Sequence, residues 1–308
     1  MILHILVSII LPVFFLIGVG IVSDRVFKPD LGTLSKLNFY IFVPALVFIR
    51  LIDSQLSGAL VGLVTAFNLL HMLALIGLSW LTFGLPPFRQ RRSMLTAAAI
   101  FNNCGNYGIP FAQLAFGDFG VQIMALVLVF QNVANFTLGL FLMGDERTHW
   151  KERLEEMLKA PPLYAVAAAL LVNLLHIQMP DSIRFPLVQL SNGLVPIALL
   201  TLGVQLSRAR WWGEMLPLSA ANVMRLIVSP LVAAGLAYLI QALQLIAPEQ
   251  AAQVFPVLIC GAALPVAVNV YILAIRYDRQ AELASRIVFW STLASAVTLT
   301  LWLAVFTS

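Results

Sequence analysis

The sequence predicts an all-α integral membrane protein with ten transmembrane helices, arranged as two inverted repeats of five helices. The first observation is composition: the 308 residues are 61% hydrophobic and 10% charged, and the mean hydropathy is +0.94. Such values lie well outside the range of soluble globular domains. The second observation is the spacing of the apolar stretches, and the third is the alternation of basic residues between successive loops.

Ten apolar stretches are long enough to cross a bilayer, since about 20 helical residues span its hydrocarbon core. The loops between them are short and leave no room for a soluble domain. The first stretch has neither a basic region before it nor a small-residue cleavage site after it, which favours a retained helix over a signal peptide. The predicted spans are residues 3–23, 34–52, 57–83, 93–116, 121–143, 161–178, 184–206, 215–241, 251–275 and 284–306.

The chain divides into two halves of similar pattern. Residues 1–143 form the first predicted repeat and residues 161–308 the second. The charged stretch 144–160 is predicted to be a cytoplasmic linker that contains a short surface helix. Prolines recur at matching places, and Pro44 and Pro196 are 152 residues apart. Because each repeat has an odd number of helices, the second repeat must be inserted upside down relative to the first.

The basic residues predict the orientation of the helices. The loops after predicted helices 1, 3, 5, 7 and 9 carry 15 of the 18 lysines and arginines. Because cytoplasmic loops are enriched in basic residues, these loops are predicted to be cytoplasmic and both termini to lie on the periplasmic side of a bacterial inner membrane. The net charge of +4 is spread over these short loops, so it does not indicate a nucleic-acid partner.

The most informative feature is a break inside predicted helix 4, where residues 101–110 read Phe-Asn-Asn-Cys-Gly-Asn-Tyr-Gly-Ile-Pro. A break in a transmembrane helix is tolerated only where it is buried in protein or lines a wet cavity. Unwound backbone amides, and the positive N-terminal end of the half-helix that follows, suit a carboxylate. The alternative is a kinked helix whose asparagines bond neighbouring helices. The candidate binding residues here are Asn102, Asn103, Asn106, Tyr107 and Pro110.

A second break is predicted in helix 9, at residues 260–269. Its candidate binding residues are Pro265 and Asn269, and Pro265 lies 155 residues after Pro110. Paired breaks at matching positions of two halves are the best sequence indication of a transporter's binding site, and an inverted repeat places them face to face near the midplane. The sequence therefore predicts a transporter whose site lies where helices 4 and 9 cross.

Arg225 is a basic residue well inside a span, predicted helix 8, so it is expected to face a cavity or a partner rather than lipid. Two interpretations stay open: the guanidinium attracts an anionic substrate, or it anchors the carbonyl groups of the broken helices. Asn222 lies on the same helix face. Further polar residues inside spans are more typical of helix packing, but they are supporting candidates for the site: Gln131, Asn135, Asn222 and Ser291.

No motif for enzyme chemistry is present in the sequence. There is no phosphate-binding loop of the ATPase kind, no His-Glu-x-x-His or Cys-x-x-Cys pair for a metal, and no aspartate cluster for magnesium. The two cysteines, Cys104 and Cys260, lie inside apolar stretches, as is typical of small buried apolar residues. We therefore expect neither enzymatic activity, nor a cofactor, nor a metal site.

The chain resembles the auxin efflux carrier family, in particular its bacterial organic-acid members. The resemblance is carried by the run from Asn102 to Pro110, by Leu194-Val-Pro-Ile-Ala-Leu-Leu-Thr-Leu-Gly203, by Arg225-Leu-Ile-Val-Ser-Pro230 and by Pro265-Val-Ala-Val-Asn269. It implies a fold shared with bile acid:sodium symporters. Helices 1, 2, 6 and 7 would form a scaffold with a homodimer contact, and helices 3–5 and 8–10 a moving domain.

The resemblance also implies secondary transport of small organic anions such as malonate or malate, by an elevator-type movement across the membrane. Two alternatives are kept. One is a membrane receptor or regulator that binds the anion without moving it, and the other is a sodium-coupled symporter of the bile-acid type. Because no acidic residue lies in the middle of a span, no dedicated proton relay is expected, although the substrate could carry its own proton. Sodium could bind to freed backbone carbonyls, but we expect movement linked to the membrane potential or to protons rather than to sodium.

Overall fold

A computed structural model describes residues 2–53, 57–143, 161–175, 177–209, 212–277 and 279–307. This part of the chain is helical, and its only β-type pairing is one isolated bridge between Asn102 and Val266. The predicted linker, residues 144–160, lies outside the described residues. The prediction of an all-α membrane protein is therefore confirmed for the described part of the chain.

The described helices follow the predicted spans closely, because hydropathy sets their lengths. Each of the two predicted broken helices is interrupted by a short extended segment, and predicted helix 6 ends earlier than expected, at Leu174 rather than 178. In chain order the helices are α1 Ile2–Phe27, α2 Leu31–Ile52, α3 Gly58–Thr82, α4 Arg92–Ile100, α5 Cys104–Met143, α6 Pro161–Leu174, α7 Asp181–Ser207, α8 Met215–Ala242, α9 Pro248–Ala262, α10 Val268–Arg276 and α11 Ala281–Thr307.

Seven of these helices, within the described residues, are long and apolar enough to cross a membrane: α1, α2, α3, α5, α7, α8 and α11. The helix α5 has 40 residues, and a straight helix of that length would measure about 60 Å, twice the hydrocarbon thickness. It does not run straight, because Gly117 has φ 63° and ψ −153°. Since positive φ favours glycine, Gly117 lets the chain turn where the sequence predicted the loop between helices 4 and 5.

Proline explains where four helices change their winding. Four single π-helical turns are each followed, two residues later, by a proline: Leu6–Ile10, Asn38–Phe42, Cys104–Gly108 and Met224–Val228. Proline has no N–H and its ring clashes with the carbonyl one turn back. In each case the residue before the proline donates to the carbonyl five residues earlier, as Ile109 does to Cys104, and the helix continues. The predicted break at 101–110 is therefore shorter than expected, because only residues 101–103 leave the helix.

The helices α1 and α7 pack along each other with their backbones in contact. A Cβ atom added to Gly20 would lie 2.3 Å from the carbonyl oxygen of Leu200, and one added to Gly203 would lie 2.1 Å from that of Ile17. Small residues at such crossings let membrane helices approach closely. Beside them, α2 packs against α6 and α7. Helices α1, α2, α6 and α7 thus form one group, and the two interrupted helices lie in the rest of the bundle.

Polar contacts hold the ends of the α1–α2–α7 group. Arg208, after α7, donates two hydrogen bonds to Asp24 Oδ1 in α1, at 2.6 and 2.9 Å. Asp30 caps α2 by accepting a hydrogen bond from the backbone N–H of Thr33 at 2.6 Å. Hydrogen bonds from the Thr33 side chain and backbone hold the pKa of Asp30 below its usual value.

Candidate functional site

The two breaks predicted from the sequence meet and pair with each other. The backbone N–H of Asn103 donates to the carbonyl of Pro265 at 2.8 Å, and the N–H of Ala267 donates to the carbonyl of Phe101 at 2.9 Å. These bonds make the antiparallel bridge between Asn102 and Val266. Because exposed backbone groups are costly in hydrocarbon, the two extended segments satisfy each other where no helix does so.

Side chains complete the pairing of the two breaks. Asn102 Nδ2 donates to the carbonyl of Gly261 at 3.1 Å, so the first break is also tied to the end of α9. The N–H of Val266 donates to Ser291 Oγ in α11 at 3.1 Å. Gln131 Nε2 in α5 lies 3.4 Å from the carbonyl of Ile100, the last residue of α4. Two predicted supporting residues, Gln131 and Ser291, are therefore in contact with the crossing.

After each break a new helix begins, with its N-terminal end directed to the same space. Helix α5 begins at Cys104 and α10 at Val268, and neither has a side-chain cap at its first turn. The first N–H groups of a helix have no acceptor within the helix. They carry the positive end of the helix dipole, which favours a negatively charged ligand.

The two N-terminal ends lie on one cavity of about 330 Å³. Its wall is formed by α2, the first break, α5, α7 and α10, and most of its polar groups are carboxamides. The polar lining residues are Ser35, Lys36, Asn38, Tyr40, Asn102, Asn103, Asn106, Gln131, Asn132, Asn135, Gln205, Asn269 and Arg276. No aspartate or glutamate is among the described residues that line it.

The structure brings the predicted asparagines together at this cavity. Four principal candidates line it, Asn102, Asn103, Asn106 and Asn269, and so do the supporting candidates Gln131 and Asn135. The other predicted site residues, which do not line it, are Tyr107, Pro110, Asn222, Arg225, Pro265 and Ser291.

The predicted residues outside the lining have identifiable contacts of their own. Tyr107 is fully buried, with its hydroxyl 3.3 Å from Ser295 Oγ and its ring edge-on to Phe14. Pro110 follows the π-helical turn at the start of α5, and Pro265 supplies the carbonyl that receives the Asn103 N–H. These residues shape the crossing without reaching the cavity.

Several lining residues were not predicted from the sequence. Asn38 in α2 donates from Nδ2 to Asn106 Oδ1 at 2.7 Å and so links a helix of the α1–α2–α6–α7 group to the crossing. Asn132 and Gln205 add two more carboxamides. Lys36 and Arg276 were counted only as loop charges, although both line the cavity. A polar residue inside a predicted span, as Asn38 is, was the one available sequence signal.

Seven buried carboxamide atoms around the cavity have no hydrogen-bond partner among the described residues. They are Asn38 Oδ1, Asn102 Oδ1, Asn103 Nδ2, Gln131 Oε1, Asn132 Nδ2, Asn135 Oδ1 and Gln205 Oε1. Buried polar atoms are otherwise almost always bonded, because an unpaired one is costly. Both donors and acceptors are represented, so this wall is suited to a polar ligand that offers both.

Arg225 lies on the other side of the crossing and is fully buried. Its Nη1 donates to the carbonyl of Ala99 in the last turn of α4 at 2.7 Å, and its Nη2 donates to Ser229 Oγ at 2.6 Å and to the carbonyl of Ala262 at the end of α9. Of the two interpretations left open by the sequence, this geometry supports the anchor.

Outside the cavity lining, an ion pair joins α2 to α5. Arg50 Nη1 lies 2.6 Å from Asp118 Oδ1, and Arg50 Nη2 donates to Gln113 Oε1 at 3.2 Å. Asp118 follows the turn at Gly117, whereas Lys36 is near the opposite end of α2. The cavity lies toward the end of the bundle that carries Lys36 and Arg276.

A helical membrane protein with two interrupted helices that cross at an amide-lined cavity has the structural features of a transport protein. The comparison with known families agrees. The family described as "Membrane transport protein" matches residues 5–303, so this chain belongs to that family of auxin efflux carriers and related transporters. The resemblance seen in the sequence is thereby confirmed.

Two archaeal proteins are similar to the chain over most of their length. An uncharacterized transporter of Methanothermobacter thermautotrophicus is 27% identical over 284 residues, covering 89% of both chains. An uncharacterized transporter of Methanocaldococcus jannaschii is 24% identical over 287 residues, covering 87% of both chains. The chain is therefore a multi-pass membrane transport protein, and the family gives no indication of an enzyme.

Proposed function

We propose that this protein is a secondary carrier of small organic anions, such as mono- or dicarboxylates, across the cytoplasmic membrane. The observation that carries the proposal is the convergence of two helix N-terminal ends, at Cys104 and Val268, on one cavity lined with carboxamides. Unwound helices in transporters bind the carboxylate of a substrate in this manner. The family membership supports transport as the function of this site.

The charges around the cavity favour an anion over a cation. Lys36 and Arg276 lie in its wall together with nine carboxamide side chains. The cavity, at about 330 Å³, is at the small end of ligand pockets, which suits a compact acid rather than a bile-acid-sized molecule. We assign substrate contact to Asn102, Asn103, Asn106 and Asn269, with Gln131 and Asn135 in supporting positions.

The movement we propose is of the elevator type. Helices α1, α2, α6 and α7 form the scaffold and the homodimer contact, and α3–α5 with α8–α11 form the moving domain. In this arrangement the chain crosses the bilayer ten times, as two inverted repeats joined by the linker at 144–160. The contacts that must break during transport are then Asn38–Asn106 and Arg50–Asp118, which join α2 to α5.

The positive-inside pattern gives this proposal a direction. Lys36 and Arg276 belong to the predicted cytoplasmic loops, so the described state is open to the cytoplasm, with both termini on the periplasmic side. The ion pair between Arg50 and Asp118 then lies at the periplasmic end of the bundle.

Counterflow in proteoliposomes tests the proposal. The purified protein is reconstituted in vesicles preloaded with one unlabelled acid, and the uptake of labelled malonate, malate, acetate and lactate is measured. We expect saturable exchange of at least one carboxylate and none in protein-free vesicles. Saturable binding without exchange would support the receptor alternative, and uptake that requires a sodium gradient would support the symporter alternative.

A further inference from the structure

Arg225 has a bonding pattern that differs from that of a surface arginine. Its side chain is fully buried, and its two terminal nitrogens bond the carbonyls of Ala99 and Ala262 and the hydroxyl of Ser229. All of these partners are neutral. Removing a guanidinium from water is costly, so the groups that receive it must supply a strong negative potential.

The two carbonyls supply that potential because of where they lie. Ala99 is in the last turn of α4, and Ala262 is the last residue of α9. The C-terminal end of a helix carries the negative end of its dipole. The guanidinium therefore lies between the negative ends of two half-helices, one from each interrupted helix.

Neighbouring side chains hold the guanidinium in place. Ser229 Oγ lies 2.9 Å from the Ala262 carbonyl, so the hydroxyl donates there while it accepts from Arg225. His71 Nε2 in α3 lies 3.0 Å from the carbonyl of Ser229, which can only accept, so Nε2 carries the proton. Helices α3 and α8 thus both contribute to the cluster.

In carriers with broken helices, freed carbonyls and the C-terminal ends of half-helices are the groups that coordinate a coupling cation such as Na⁺. We propose that Arg225 is a tethered cation in that role: its guanidinium occupies the junction of the α4 and α9 ends permanently, and the protein therefore needs no Na⁺ there. For transport, the consequence is an anion carrier that is independent of sodium. That consequence rests on the proposed function above. The role of Arg225 in joining α4 to α9 does not rest on it.

Replacement by a free guanidinium ion tests the role directly. Arg225→Ala, purified and reconstituted as the full chain, is heated with about 10 mM guanidinium chloride, NaCl or choline chloride, at a concentration far below denaturing levels. We expect a midpoint of unfolding at least about 5 °C below wild type. We expect guanidinium to restore at least half of that loss, while choline restores none of it.

Arg92→Ala is the matched control. Arg92 Nη2 also donates to a carbonyl, that of Trp80 at 2.7 Å, but its bond is exposed to solvent. Guanidinium is expected to leave the midpoint of this variant and of wild type unchanged. Equal effects of guanidinium on all three proteins, or equal rescue by all three salts, would overturn the proposal.

Arg225→Lys keeps the test decisive if Arg225→Ala does not fold. The ammonium keeps the charge but not the planar fork that reaches two carbonyls. We expect its midpoint to lie between wild type and the alanine variant and to rise with guanidinium. A midpoint equal to that of wild type contradicts the bridging role. Stabilisation of wild type by Na⁺ over choline contradicts the replacement of sodium, whether or not any carboxylate is transported.

Discussion

The helix crossing has two unlike sides. On the cavity side, the first turns of α5 and α10 share the cavity wall with seven buried carboxamide atoms that have no partner among the described residues. On the opposite side, the last turns of α4 and α9 meet at the guanidinium of Arg225, which bonds both. The same two interrupted helices thus direct positive ends to one side and negative ends to the other. The proposed ligand site is on the side with the unpaired carboxamides, and the anchored guanidinium is on the other side.

The largest effect on stability is expected on the Arg225 side. In Arg225→Gln the carbonyls of Ala99 and Ala262 lose a charged donor, and we expect a loss of about 2–5 kcal/mol in the free energy of unfolding. The ratio of affinities for malonate and acetate should stay at the wild-type value, because Arg225 does not line the cavity. Uptake of a labelled acid in proteoliposomes, in competition with unlabelled malonate or acetate, measures this ratio. A selective loss of malonate affinity in this variant and in Arg225→Lys would place the guanidinium at the substrate.

The second effect is expected on the cavity side. Asn106→Ala removes an amide at the start of α5, and we expect a loss of affinity of about 10- to 100-fold, since a hydrogen bond to a charged ligand contributes about 1.5–3 kcal/mol. The midpoint of unfolding should change little. Asn68→Ala is the control, because Asn68 is a buried asparagine that bonds the carbonyl of Val64 in its own helix. Wild-type affinity in Asn106→Ala would mean that the site lies elsewhere.

A smaller effect is expected from the two basic residues of the cavity wall. Lys36→Gln and Arg276→Gln should each raise the KM for malonate a few-fold more than that for acetate. The difference should shrink in high salt, because exposed charges are screened over about 10 Å. Arg25→Gln, an exposed residue of the same predicted loop region, serves as the control. If all three variants respond alike, the wall charges do not select the substrate.

The smallest effect is expected at the ion pair between α2 and α5. The pair Arg50–Asp118 is half-exposed, so each neutralising variant, Arg50→Gln or Asp118→Asn, should change the stability of the described state by about 0.2–1 kcal/mol. We expect a change in exchange rate of less than about five-fold, with KM nearly constant. The stability change of the double variant should differ from the sum of the changes in the two single variants. Additive stability changes in this double-mutant cycle would show that the ion pair does not hold α2 and α5 together.

The sequence predicted the features that depend on local composition. Hydropathy gave the helix bounds to within a few residues, and the asparagine, glycine and proline pattern located both breaks. What it did not predict depends on which helices become neighbours. Asn38 bonds Asn106, 68 positions away, and nothing in the pattern around Asn38 distinguishes it from a packing residue.

Arg225 illustrates the same limit. Its helical face, shared with Asn222, was expected to be polar. Periodicity shows which side of a helix a residue lies on, but it does not show which groups that side contacts. Only the packing of α8 against the ends of α4 and α9 distinguishes an anchor from a substrate contact. The extent of the first break was overestimated for a local reason, because a π-helical turn accommodates Pro110 without unwinding.

The bridge between the two breaks also has a consequence for how the protein is made. The N–H of Asn103 finds its acceptor at Pro265, which is synthesised about 160 residues later. At roughly 5–20 residues per second the interval is about 10–30 s. During that time the unwound segment has unpaired backbone groups that hydrocarbon does not tolerate. We therefore expect the first interrupted helix to stay beside water or the insertion machinery until the second interrupted helix has been made and can pair with it.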